Sequence, residues 1–155
     1  MPNLLDGPTM CLMLYVGCKE PLRERSDPDL RIEPVEPGRR AVEQWLSLPS
    51  VQFVGAHTQC SCGFPHVIAA APIEYWEGMW SDSDEREADI RSMRALIELL
   101  RDVIKPGESV ELYTVWDGNE GEAPKGRLGW SLERIAPDTS VFTEQFLYEV
   151  RLESV

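Results

Sequence analysis

The sequence predicts a single α+β domain with a mixed or mainly antiparallel sheet of about six strands, packed by one long and one short helix. Three observations predict this class: an apolar run over residues 11–16 that is too short for a typical helix, an apolar stripe at helical spacing over 90–104, and alternating apolar residues in the C-terminal third. A chain of 155 residues has the size of one domain. We expect residues 1–9 to be a polar tail and residues 10–155 to form the domain.

The first half of the chain predicts a central strand followed by a long connection. Residues 11–16 are apolar on both faces, which is typical of a strand covered on both sides. Residues 20–38 are charged and contain four prolines, which disfavour helix and central-strand pairing, so we expect a surface loop or a lid. A short helix is expected over 38–48. As a right-handed crossover, it would make the strand at 51–54 a parallel neighbour of the first strand.

The long helix has the clearest signals. Side chains that suit a helix N-cap and first turn occupy residues 81–85, and a Lys-Pro-Gly stop occupies 105–107. The apolar stripe between them consists of Ile90, Met93, Ile97, Leu100 and Ile104.

Four more strands complete the predicted sheet, over residues 66–71, 110–116, 128–132 and 142–150. We expect the glycine-rich, acidic connection 117–126 to be a flexible hairpin loop.

Charge and apolar content limit the function classes. Fifteen basic residues stand against 27 acidic ones, giving a formal net charge of -12. A surface of this sign repels phosphate backbones and anionic membranes, so we expect neither a nucleic-acid nor a membrane partner. The N-terminal residues lack the basic start and the long apolar stretch of a secretory signal. We therefore expect a cytoplasmic protein whose four cysteines stay reduced.

Metal-binding residue types are concentrated in one segment, which contains His57, Cys60, Cys62 and His66. Both histidines of the chain and half of its cysteines lie there. Imidazole nitrogen and thiolate sulfur are donors that zinc prefers, and close spacing lets one turn present several of them. The sequence therefore predicts a metal site formed by these four side chains, with zinc as the candidate ion.

The arrangement of these donors leaves alternatives open. In an extended segment Cys60, Cys62 and His66 would share one face, and His57 would point the other way. Cys11 or Cys18 is then an alternative source of a missing ligand. Buried cysteine also behaves as a small hydrophobic residue, and this interpretation suits Cys11 and Cys18 well.

Two function classes are consistent with these residues. The first is a non-catalytic binding or interaction domain, whose protein or small-molecule partner the sequence does not identify. The second is a small enzyme that uses a bound metal, or a thiol at Cys60 or Cys62 activated by His57. In either class, a lid formed by residues 20–38 would turn the 57–66 cluster into a pocket.

Overall fold

A computed structural model describes residues 11–67 and 83–153 of the chain. Within these residues there are nine strands: β1 (Leu12–Cys18), β2 (Arg25–Ser26), β3 (Arg31–Pro34), β4 (Ser50–Gly55), β5 (His66–Val67), β6 (Ser109–Trp116), β7 (Gly126–Ser131), β8 (Phe142–Thr143) and β9 (Phe146–Arg151). Helix α1 spans Ser83–Val103, and short 3-10 segments span Pro37–Trp45, Ser61–Gly63 and Leu132–Arg134. The α+β class is confirmed. The predicted tail over 1–9 and residues 68–71 of a predicted strand lie outside the described residues.

The main sheet is mixed and has seven strands in the order β2-β3-β4-β1-β6-β9-β7. Strand β1 lies at its centre, with β4 on one side and β6 on the other, both antiparallel to it. All seven residues of β1 are buried, as the apolar run predicts for a strand covered on both faces. The two remaining strands, β5 and β8, form a separate parallel pair.

The prediction of a crossover helix between parallel strands was wrong. Strands β1 and β4 run antiparallel, with Leu14 opposite Val54. The direction reverses because residues 20–38, predicted to be a structureless loop, contain the antiparallel strands β2 and β3, and β3 pairs with the outer side of β4. The two-residue β2 forms the edge of the sheet, and Pro34 is the last residue of β3, beyond the residues that pair with β2.

Each face of the sheet has its own apolar layer. On one face α1 packs its predicted stripe, including Met93 and Leu100, against side chains such as Leu14 of β1. On the other face the Pro37–Trp45 segment covers β1 and β6, with Val42 packed among Tyr15 and its neighbours. Among the described residues, no helix is both long and apolar enough to cross a membrane.

The C-terminal strands do not form the predicted hairpin across residues 117–126. Strand β9 is inserted between β6 and β7, antiparallel to β6 and parallel to β7. The connection is anchored by Glu120, which is 4% exposed. Its carboxylate accepts hydrogen bonds from the Tyr15 hydroxyl at 2.9 Å and from the Gly118 N–H at 2.9 Å. The acidic loop is therefore tied to the sheet through a buried carboxylate.

Candidate metal centre

The segment that follows β4 folds back on itself in a tight turn. The Gln59 N–H donates to the Ala56 carbonyl at 2.9 Å, and the Ala56 N–H donates to the Cys60 carbonyl at 2.8 Å. Gln59 adopts a left-handed conformation, with φ of 74°. Gly55 allows the return because a Cβ atom at this position would collide with the Gln59 carbonyl oxygen. The turn carries Cys60 back towards the start of β1.

Side chains of this segment take the place of β4 beside the first half of β1. The Leu12 N–H donates to Cys62 Sγ at 3.1 Å, and the Leu14 N–H donates to Ser61 Oγ at 2.7 Å. The Ser61 hydroxyl in turn donates to the Val54 carbonyl at 2.6 Å. The Leu12 N–H lies beyond the part of β1 that pairs with β4, and the Ser61 hydroxyl bridges the paired residues Leu14 and Val54. Because these backbone groups need partners, the bonds fix where the loop lies.

Three thiols meet as a result. The Sγ atoms of Cys11, Cys60 and Cys62 all lie within 4.8 Å of one another, close enough to hold a metal ion. Cys11 directly precedes β1, so the hydrogen bond from Leu12 to Cys62 brings the two cysteines together. All three are half-buried and reduced. We call Cys11, Cys60 and Cys62 the cysteine triad.

The three thiols differ in acidity. A hydrogen bond from the Cys62 thiol stabilises the Cys60 thiolate and lowers the pKa of Cys60 to about 5. The same hydrogen bond, together with burial, raises the pKa of Cys62. Burial and the neighbouring Cys60 raise the pKa of Cys11. Cys60 is therefore the most acidic thiol of the triad.

The two histidines predicted as ligands lie outside the triad. His57 Nε2 is hydrogen-bonded to Asp89 Oδ1 of α1 at 2.7 Å, and the His57 N–H donates to Ser92 Oγ at 3.0 Å. His66 Nδ1 is hydrogen-bonded to the Phe64 carbonyl at 2.8 Å. Among the described residues, the predicted ligand set is thus divided: Cys60 and Cys62 meet Cys11, whereas the histidines bind elsewhere.

His57 has a structural role that the sequence did not indicate. Its ring lies against Gly63, where an added Cβ would come within 2.7 Å of the imidazole. The imidazole, bonded to Asp89, and the backbone N–H of His57, bonded to Ser92, together clamp the cysteine-bearing loop to the helix. Burial raises the pKa of Asp89, although the hydrogen bond from His57 acts against this.

The remaining cysteine is part of the apolar core. Cys18 lies at the far end of β1, is 4% exposed and packs in the layer beneath α1. Burial raises its pKa to about 11, so this thiol stays protonated at neutral pH. The interpretation of Cys18 as a packing residue is consistent with this position, whereas Cys11 joins the triad.

A shallow cleft of about 240 Å³ opens beside the triad. Cys11 and Cys60 line this cleft, together with Asp117 and Arg39. Residues 31–36, from the segment proposed as a lid, contribute Arg31, Glu33 and Glu36 to its wall. This segment borders the site through strand β3 and the residues after it.

Comparison with known proteins gives no relative: no family model, curated protein or solved structure matches the chain.

Proposed function

We propose that the protein is a metal-binding domain in which the cysteine triad holds one thiophilic ion, with zinc as the expected ion. The observation that carries the proposal is the mutual approach of three sulfur atoms within 4.8 Å. Zinc–sulfur bonds of about 2.3 Å in a tetrahedral site place two thiolates about 3.8 Å apart. Small side-chain rotations of Cys11, Cys60 and Cys62 are enough to reach this spacing.

The donor set favours a soft ion over a hard one. Thiolates select zinc, copper(I) and iron–sulfur centres, whereas magnesium and calcium require oxygen ligands. Three protein ligands plus one further position is a zinc arrangement. Binding would displace the protons of Cys11 and Cys62, so the affinity is expected to rise with pH.

The loop geometry supports a binding role in which the ion also fastens the fold. The triad joins the start of β1 to the segment after β4, two places already linked by the Ser61 and Cys62 hydrogen bonds. An ion bound there would close a loop of about fifty residues, which limits the conformations of the unfolded chain. We therefore expect metal binding and stability to be coupled.

Elemental analysis of protein purified without chelator tests the proposal, followed by zinc titration of single variants. We expect about one zinc per chain in the wild type and a loss of at least a hundredfold in affinity in Cys60→Ser and Cys62→Ser. Cys18→Ser is the matched control and should bind normally. Background metal in the wild type, or an equal loss in Cys18→Ser, would refute the proposal.

His57→Ala and His66→Ala separate this site from the four-ligand site that the sequence predicts. If the triad holds the ion, both variants retain zinc binding, with at most a tenfold loss in His57→Ala because the clamp to α1 is weakened. A loss as large as that of Cys60→Ser would instead place an imidazole in the coordination sphere.

A second candidate function is thiol chemistry at Cys60. It is favoured by the lowered pKa of Cys60 and by the position of this residue in the lining of the cleft. The activating group is Cys62 and not His57, because His57 Nε2 is bonded to Asp89. Alkylation of the metal-free protein distinguishes a reactive thiol: Cys60 should react faster than Cys18 at pH 7, and equal rates would remove this candidate.

A further inference from the structure

We infer that Asp117 is the fourth ligand of the proposed metal site, binding through Oδ2 while Arg39 holds Oδ1. The inference rests on the proposed function, because it completes the coordination of an ion held by the cysteine triad.

The position of Asp117 follows from sheet pairing. Leu12, the first residue of β1, is paired with Trp116, the last residue of β6. Cys11 immediately precedes β1 and Asp117 immediately follows β6, so the two residues lie side by side at the same end of the sheet. The Asp117 N–H donates to the Cys11 carbonyl at 2.8 Å. Asp117 and two members of the triad, Cys11 and Cys60, line the same cleft.

The hydrogen bonds of Asp117 leave one carboxylate oxygen for an ion. Arg39 Nε and Nη2 both contact Oδ1, at 3.0 Å and 2.9 Å. Arg39 is itself held by Glu36 at 3.0 Å and lies 3.7 Å from the buried Glu120. Metal-binding carboxylates are commonly oriented by such a hydrogen-bond donor, which makes Arg39 a positioning residue.

Arg39 reduces the repulsion that a fourth, anionic ligand would introduce. A zinc ion with three thiolates carries a net charge of −1, and a carboxylate ligand makes it −2. The guanidinium of Arg39 beside Asp117 offsets part of this added charge, and it is shared with Glu36 and Glu120. The carboxylate is not among the ligand atoms that lie within 4.8 Å of one another, so binding requires the Asp117 carboxylate and the Arg39 side chain to move together towards the sulfurs.

The test is Asp117→Asn in the full chain, with zinc affinity and the absorption spectrum of the cobalt(II)-loaded protein as readouts. We expect zinc affinity to fall by about a hundredfold. The visible d–d bands of cobalt should change, because the fourth ligand changes. The thiolate-to-cobalt charge-transfer band in the near ultraviolet should keep its intensity, because all three sulfurs remain.

Glu33→Gln is the matched control. It removes one negative charge from the wall of the same cleft, but Glu33 is bound to Arg31 at 2.7 Å and is not part of the Arg39–Asp117 pair, so zinc affinity should change by less than about fivefold. Arg39→Gln should weaken binding by about tenfold and shift the d–d bands. Combined with Asp117→Asn, it should cause no further loss, since both act through one carboxylate.

The outcomes separate this inference from the proposed function. Wild-type affinity and unchanged d–d bands in Asp117→Asn would overturn the inference and leave the three-cysteine site standing. A wild-type chain that binds neither zinc nor cobalt would overturn both. If Asp117→Asn does not fold, the d–d bands of Arg39→Gln decide: a shift supports ligation by Asp117, and an unchanged spectrum refutes it.

Discussion

Replacing Ser61 with alanine removes a hydroxyl that bridges two backbone groups of neighbouring strands. Ser61 is fully buried, accepts from the Leu14 N–H at 2.7 Å and donates to the Val54 carbonyl at 2.6 Å. Leu14 and Val54 are opposite each other in the β1–β4 register, so alanine leaves an N–H and a C=O without their partner. A buried polar group left unpaired costs about 1 to 3 kcal/mol, which gives about 2 to 6 kcal/mol for the pair.

The assay is urea denaturation of the metal-free protein, with the free energy of unfolding compared at an unchanged m-value. Ser47→Ala is the control: this residue is exposed, and Glu111 Oε1 keeps the backbone N–H donors of Ser47 and Leu48 when the hydroxyl is lost. We expect a change of at most about 1 kcal/mol there. A loss below about 1 kcal/mol in Ser61→Ala would refute the reasoning, because the backbone groups would then have found other partners.

Three further predictions concern the same loop. Gly63→Ala should push the His57 ring away from Asp89 and lower the free energy of unfolding by about 1 to 3 kcal/mol in the same urea assay; an unchanged value contradicts the contact. In metal-free protein, the alkylation rate of Cys60 should rise with pH with a midpoint near pH 5, and Cys62→Ser should move this midpoint towards 9.0. Because the pKa of Cys60 is lower in the folded state than in the unfolded state, the stability that its thiolate contributes should be lost as pH falls from 9.0 to about 5. A Cys60→Ser variant should lack this loss of stability. At free zinc a hundredfold above the wild-type Kd, thermal or urea unfolding should show about 2.7 kcal/mol of added stability in the wild type and at most about 0.4 kcal/mol in Cys62→Ser; equal gains in both would exclude the triad as the binding site.

The sequence predicts those parts of the fold that local periodicity determines. The buried run of β1 and the stripe of α1 are visible within a single window of the chain, and both predictions are confirmed. Strand direction and order depend on pairing between distant segments, which periodicity does not report. Strands β2 and β3 have two and four residues, too few to show alternation among the charges and prolines of residues 20–38.

The site was predictable in part, for a similar reason. Residue type alone singles out Cys60 and Cys62, which the structure places together. Cys11 is flanked by apolar residues, and this pattern predicts a buried strand. Cys11 joins the cysteine triad only because the turn after β4 returns beside Leu12, which the sequence pattern does not report. His57 has the chemistry of a ligand, but Asp89, 32 residues away, binds its ring. The chain has 27 acidic residues, and nothing in the sequence around Asp89 marks it as the partner of His57.

The insertion of β9 between β6 and β7 has a consequence for how the chain assembles. Within residues 11–67 and 83–153, β7 of the main sheet is paired with β9 alone, so in a nascent chain that ends before residues 146–151 this part of the chain offers residues 126–131 no backbone partner. The sheet cannot close during synthesis until its last strand leaves the ribosome. Until then β6 presents an open, apolar edge, the kind of surface that recruits chaperones or joins another unfinished chain.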